Sequence, residues 1–204
     1  MNRFVWGSLL QLGSPAGTCY ISEKYRLTYL NIPKVASSSL KEALVPIGFS
    51  RSEFFVKPEG WTTFAFLRDP FDRLVSGVLE IARRRDEHVG DTAHEFARAL
   101  NDSRHTLQYV DEQMEDAHLQ PQHDFLVPWN PVDHFYRFED VELLPLALNA
   151  LGVEEKCVVP RENVSEPSVK DLVRSVLEPL HAEIEWLYMV DYALRKQYCL
   201  EDEE

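Results

Sequence analysis

Two stretches of this chain set cationic and hydroxyl side chains where an apolar run stops. The first is Pro33-Lys34-Val35-Ala36-Ser37-Ser38-Ser39-Leu40, directly after the β-rich run Arg26–Ile32. Serines at the start of a helix lie beside backbone N–H groups that lack intrahelical partners, and the helix dipole favours an anion there. Lys34 adds a point charge, and the serines add adaptable donors. The second stretch is Arg68-Asp69-Pro70-Phe71-Asp72-Arg73-Leu74-Val75-Ser76, directly after the apolar Thr62–Leu67. Arg68 offers a fork of donors matched to phosphate, and the Ser76 hydroxyl, eight residues on, can complete a cradle. Each stretch also has a plainer reading: a serine N-cap with a solvated lysine, and an arginine paired with Asp69 or Asp72. Neither contains Gly-x-x-x-x-Gly-Lys-Ser/Thr or Gly-x-Gly-x-x-Gly, which disfavours a standard nucleoside triphosphatase.

Strand and helix signals say how these stretches are carried. Arg26–Ile32 reads as a strand, Pro33–Ala36 breaks it, and Ser37–Val45 reads as a short serine-capped helix stopped by Pro46-Ile47-Gly48. Thr62–Leu67 reads as a second strand and Phe71–Arg85 as a helix with Leu74, Val78 and Ile81 on one side. Strand, helix and strand in this order predict a βαβ crossover in a parallel sheet, which binds ligands at the carboxyl ends of its strands. Further along, Asp91–Glu115 is helical in parts, Asp133–Phe138 is a third strand, and Glu142–Leu151 is a helix with Pro145 in its first turn. Cys157–Val159 is a short extended piece, and Ser168–Leu177 and Leu180–Gln197 are two C-terminal helices. Residues 1–20 read as an irregular lead.

Composition bounds the partners. The 204 residues suit one α/β domain, and their net charge of −13 lacks the basic footprint of a nucleic-acid binder. The charge is uneven: residues 1–85 hold 12 basic and 7 acidic side chains, residues 86–204 hold 9 and 27. Three cysteines, Cys19, Cys157 and Cys199, cannot all pair within one chain, and no Cys-x-x-Cys suggests zinc. His118, His123 and His134 match no familiar metal-ligand spacing. No apolar run approaches the roughly 20 residues of a membrane helix. A cytoplasmic protein is therefore expected, or a lumenal Golgi domain if the chain is trimmed from a longer anchored one. Arg83-Arg84-Arg85 reads as a solvated helix end that can attract an anionic acceptor, and Trp61, Trp129 and Trp186 as packing aromatics that can stack on rings.

Taken together, Pro-Lys-x-Ala-Ser-Ser-Ser-Leu and Arg-Asp-Pro-x-x-Arg-Leu-Val-Ser, about 30 residues apart in the chain, resemble the two donor-binding motifs of sulfotransferases. The resemblance is greatest to the membrane-type carbohydrate sulfotransferases and their bacterial and viral relatives. Three weaker matches extend it over roughly residues 20–195. Asp116–Gln122 is similar to a His-x-x-Pro-Gln element, Tyr136–Asp140 to an Arg-Phe-Glu strand end, and Leu187–Tyr192 to a closing Tyr-x-x-Asp-Tyr helix. The resemblance implies a P-loop-like three-layer α/β fold with a central parallel sheet, in a single domain with a helical C-terminal cover. It implies a sulfotransferase of EC 2.8.2 type. The donor would be 3′-phosphoadenosine-5′-phosphosulfate (PAPS), the product 3′,5′-adenosine bisphosphate, and the acceptor a hydroxyl, expected on a carbohydrate, with no metal required.

Carried onto this chain, the 5′-phosphosulfate falls to Pro33, Lys34, Ala36, Ser37, Ser38 and Ser39, and the 3′-phosphate to Arg68 and Ser76. Lys34 is the expected stabiliser of charge on the departing phosphate, and His118 the expected general base, with His123 and then Glu80 as substitutes. Residues 20–85 would form the donor-binding core, 86–130 the acceptor region, and 131–204 the remaining core and C-terminal helices. Lys34, Arg68 and Arg73 lie in the basic part, where the nucleotide would dock. The acidic remainder favours a neutral or lightly charged acceptor. Two departures stand out: the membrane anchor of the eukaryotic members is not expected here, and Gly77-Val78 follows Ser76 where the family often has Ser-x-Tyr, which puts the local helix packing in question. A nucleoside-triphosphate-dependent phosphotransferase and a non-catalytic adenosine-bisphosphate module are the competing readings.

Overall fold

β2 (Leu27–Asn31) and β4 (Thr62–Leu67) are apolar along nearly their whole length, and almost every residue in them is buried. Strands buried on both faces belong at the centre of a sheet, and here they pair in parallel, Leu27 against Thr62 through Leu30 against Ala65. β5 (His134–Arg137) adds a further parallel strand on β4. The computed structural model describes residues 18–52, 57–101, 116–126, 132–160 and 166–199.

The sheet is mixed, and this corrects the expectation of a purely parallel one. β1 (Thr18–Ser22) and β3 (Ser50–Ser52) complete the order β3-β1-β2-β4-β5, with β1 antiparallel to both its neighbours. The end of the expected irregular lead is therefore a strand. It joins β2 through Glu23-Lys24-Tyr25-Arg26, a hairpin loop with no glycine or asparagine. Arg26 takes the left-handed conformation (φ 54°) that such loops usually give to those residues. Cys157–Val159 forms no strand. Cys157 is instead buried, its thiol directed at the Ala43 carbonyl.

Side-chain alternation sorts the core. Tyr29, Phe64 and Phe66 face one side of the sheet, with the Tyr29 and Phe64 rings 5.5 Å apart, and join α1 (Ser37–Leu44) and α4 (Leu144–Ala150) in one cluster. A second cluster contains no strand residue. It packs α2 (Pro70–Arg85), α3 (Val89–Asn101), α5 (Pro167–Leu177) and α6 (His181–Leu187) around Leu119. The expected helix over Leu180–Gln197 is two, α6 and α7 (Met189–Tyr198), parted at Tyr188 (φ −107°, ψ 24°). At the break the Tyr188 ring is buried and its hydroxyl donates to the Leu119 carbonyl at 2.7 Å. The remainder of Asp91–Glu115 after α3 lies outside the described residues. Among the described residues, no helix is long and apolar enough to cross a membrane.

Candidate active site

The chain leaves β2 through a loop pinned by Ile32 and Val35, both fully buried. Between and after them, Lys34 (φ 64°) and Ala36 (φ 51°) are left-handed without being glycine. Such residues cost on the order of 1 kcal/mol or more each and cluster at functional turns. Turns of this kind direct successive backbone N–H groups to one side and make anion-binding concavities. Ala36 is the N-cap of α1 and makes no side-chain cap bond, so the serines do not cap the helix as the sequence suggested. Ser37, Ser38 and Ser39 instead form the first turn itself, Ser38 exposed and Ser39 buried. Hydroxyls and uncapped amides therefore share this helix end with Lys34.

α2 begins one residue before the expected Phe71. Pro70 opens it, and the Asp69 carboxylate accepts from the Asp72 N–H at 2.9 Å. Arg68, just before it, is held by its backbone. The Gln122 amide accepts from the Arg68 N–H at 3.0 Å and donates to the Arg68 carbonyl at 2.9 Å. The guanidinium lies 4.5 Å over the Phe138 ring and donates from Nη1 to the Lys34 carbonyl at 3.0 Å. The two strand-end stretches thus meet. Arg68 Nε is buried with no hydrogen-bond partner among the described residues, an orphaned donor of the kind found beside bound ions or ligands. Burial pulls the Arg68 pKa below its ordinary value, which leaves it charged in any physiological range.

Arg73 does not belong with the docking cations. Its side chain is 1% exposed, and it donates to three backbone carbonyls: Pro33 at 3.0 Å, Gln120 at 2.6 Å and Ala117 at 3.3 Å. It is a strut between the Lys34 loop and the segment 116–125. Asp191 on α7 holds that segment from the other side, accepting from the Gln122 N–H at 2.6 Å and the His123 N–H at 2.9 Å.

The segment so held carries His118. Its Nδ1 lies 2.7 Å from Asp116 Oδ1 and 3.0 Å from Arg84 Nη2, and Arg84 also meets Asp116 at 2.5 Å. On the neighbouring ridge of α2, Glu80 receives Lys34 at 3.3 Å, Arg83 at 2.5 Å and Arg84 at 3.8 Å. Lys34, Glu80, Arg84, Asp116 and His118 therefore form one continuous chain of charge contacts. Burial lowers the Lys34 ammonium below the ordinary lysine range, against the pull of Glu80. The hydrogen bond from Arg83, with Lys34 adding, brings the Glu80 carboxyl down to about 2. A carboxylate so acidic is a poor proton acceptor, which removes Glu80 as a substitute base and makes it the partner of Lys34. Burial, with Arg84 and Lys34 adding, lowers the His118 pKa in spite of Asp116. The ring is neutral near pH 7 and able to take a proton.

Other candidates are placed elsewhere or otherwise engaged. His123 meets Asp191 through Nδ1 at 2.9 Å and Asp124 through Nε2 at 3.4 Å. Burial lowers its pKa, but the Asp191 hydrogen bond and charge outweigh this and the ring ends up more basic than usual. It is a fastener of the segment. Ser76 is half-buried on α2, one turn before Glu80. Arg83, Arg84 and Arg85 each meet carboxylates, Arg85 those of Glu87 and Glu95, so the run is paired rather than an open anion-attracting patch. Trp61 is half-buried and Trp186 exposed, while Trp129 lies outside the described residues. Among the described residues, no group of three His, Cys, Asp or Glu is arranged to hold a metal ion.

Gly77 resolves the question raised by the sequence. A Cβ there would stand 2.5 Å from the His118 carbonyl oxygen and 2.9 Å from Leu119. Only glycine lets α2 approach the His118 segment this closely. Gly77→Ala is expected to cost about 1–3 kcal/mol of stability through overpacking. The same change should lower turnover by displacing His118, and a denaturation curve read beside steady-state rates checks both. Unchanged stability and rate would show that the segment yields freely.

A family model described as the sulfotransferase family matches residues 18–194. No curated protein and no solved structure matches the chain.

Proposed function

The chain belongs to the sulfotransferase family, and from that premise we propose that it moves a sulfo group from PAPS to an acceptor hydroxyl. The observation that carries this reading is the junction of the two motifs. Arg68 bonds the Lys34 carbonyl while keeping a buried, unpaired Nε beside an uncapped helix end. One end of that cradle suits a phosphosulfate and the other a separate phosphate, which fits a nucleotide bearing both.

The donor, when bound, supplies an activated sulfo group whose leaving group is a phosphate. Lys34 and the first-turn amides and serines of α1 stabilise the negative charge that grows on that leaving group. Arg68 and Ser76 hold the 3′-phosphate and so fix the nucleotide's register. His118 takes the acceptor proton. Residues 20–85 are then the donor half and 86–130 the acceptor region. The strand-loop-helix arrangement at β2 and α1 supports a P-loop-like three-layer description of the fold. The acidic excess after residue 85 disfavours a polyanionic acceptor, so a carbohydrate hydroxyl with little charge near it is the proposed target.

Thermal shift tests the pocket. With ligand at about 100 times its Kd, 3′,5′-adenosine bisphosphate should stabilise the protein by about 2.7 kcal/mol. AMP, ATP and adenosine 5′-phosphosulfate should do markedly less, and Arg68→Ala should erase the preference. Stabilisation that ignores the 3′-phosphate would overturn the donor assignment. Magnesium-dependent stabilisation by ATP alone would favour a phosphotransferase. Binding of the bisphosphate without turnover on any hydroxyl acceptor would favour a non-catalytic module.

A further inference from the structure

A histidine can accept a proton at only one ring nitrogen, and which one is set by what the other nitrogen meets. Two oxygens of the same carboxylate surround this question. Asp116 Oδ1 lies 2.7 Å from His118 Nδ1 and also accepts the His118 backbone N–H at 2.9 Å, while Asp116 Oδ2 meets Arg84 at 2.5 Å. A carboxylate only accepts and a guanidinium only donates, so the two contacts at Nδ1 call for opposite tautomers; Arg84 Nη2 already donates to Asp116 at 2.5 Å, and the shorter Asp116 contact puts the proton on Nδ1 and leaves the lone pair on Nε2. Asp116 is ionised: the hydrogen bonds from the His118 backbone and ring and from Arg84 overcome its burial and hold its pKa low.

A carboxylate beside an imidazole has a second effect that works against a base. It stabilises the imidazolium, and a ring already protonated at rest accepts nothing. Arg84 opposes this. Its Nη2 lies 3.0 Å from the same Nδ1, its charge offsets that of Asp116, and its position on α2 places it within reach of Glu80 as well. Among the described residues the charged groups acting on the ring are Asp116 from its own segment, Arg84 from α2 and Lys34 from the loop after β2. Burial, with those two cations adding, outweighs the one anion and leaves the ring neutral.

We propose that Asp116 and Arg84 are positioning residues for His118, Asp116 fixing the proton on Nδ1 and Arg84 neutralising Asp116 so that Nε2 stays a base near neutral pH. The inference rests on the sulfo-transfer reading above. In the step, the acceptor O–H proton passes to His118 Nε2, and the acceptor oxygen uses the freed electron pair to form the new O–S bond. The S–O bond to the 5′-phosphate breaks with its pair remaining on the phosphate oxygen. His118 leaves the step as an imidazolium whose Nδ1–H is still on Asp116.

Orientation and basicity are thereby set by different residues, and they fail differently. In Asp116→Asn the amide can present an N–H to Nδ1 and draw the ring proton to Nε2. Turnover should drop by about 10² while the donor KM stays within about twofold. In Arg84→Gln the unopposed Asp116 raises the ring pKa, so the acid limb of the pH–rate profile should move up by about one unit. In the wild type that limb should lie below the ordinary histidine range, whereas the alkaline plateau should hold within a few-fold. Arg84→Lys, which keeps the charge, should restore most of the shift. Long-range ¹H–¹⁵N NMR of the unliganded wild-type protein reads the tautomer without any variant: Nδ1 protonated and Nε2 bare near pH 7.5. An Nε2–H ring, or an Arg84→Gln limb that stays or moves down while His118→Ala is inactive, overturns the proposal and leaves the sulfo-transfer reading standing. His118→Ala with full activity and an unchanged profile removes His118 as the base, and the positioning roles with it.

Discussion

Lys34→Ala should lower kcat by about 10²–10³ while weakening binding of 3′,5′-adenosine bisphosphate less than tenfold. The split follows from what else touches the nucleotide. The uncapped turn of α1 and the orphaned Nε of Arg68, which we propose hold the ground-state phosphates, remain in the variant. Lys34 is needed most when charge builds on the departing oxygen, and its half-buried setting strengthens that interaction relative to water. Glu80 keeps the ammonium in place at 3.3 Å and is itself spread over Arg83 and Arg84. Removing Lys34 therefore leaves no isolated carboxylate to collapse the site. Steady-state rates beside a direct titration of the bisphosphate measure the split. Equal losses in both would make Lys34 a binding residue only.

The largest effect on folding should come from Arg73→Met. Methionine approximates the stem's volume but supplies no donors, so the carbonyls of the half-buried Pro33, Ala117 and Gln120 are left unpaired. A fully buried group so stranded costs about 1–3 kcal/mol, so three partly buried ones should total roughly 3–6 kcal/mol. That is a large share of the 5–15 kcal/mol, order of magnitude, typical of domains. Urea denaturation at constant m measures it. A loss below about 1 kcal/mol would mean that these carbonyls find other partners and that Arg73 is no strut.

The contrast between Arg73 and Arg68 shows where sequence reasoning stops. Both arginines sit in one motif five residues apart, and composition cannot say which faces the ligand. Burial against carbonyls 40 to 47 residues away decides it. By contrast, strands β2 and β4 and helices α1 and α2 were legible, because their apolar spacing and the prolines that bound them are local. β1 escaped because its hairpin uses Arg26 in a backbone conformation that advertises itself only through glycine or asparagine. The serine cap misled for a related reason: Ala36 occupies the cap position, and nothing in an alanine announces that. Lys34 and His118 were named from motif resemblance. The chain Glu80-Arg84-Asp116 that joins them was not, since its links lie four residues apart on α2 and then 32 across the chain. The surplus of basic residues before position 86 also means less than its count, because Arg73 and Arg83–Arg85 are already committed to internal partners.

Asp191 and Tyr188 bond a segment made 69 residues before them. Ribosomes deliver the chain from its amino end, so residues 20–85, the proposed donor half, are made long before those two residues emerge. Until they do, Gln122 and His123 have no acceptor for their amides, and the stretch bearing His118 lacks its brace on that side. The two strand-end loops are thus made early, while the segment that braces Arg68 through Gln122 and carries His118 is locked in late.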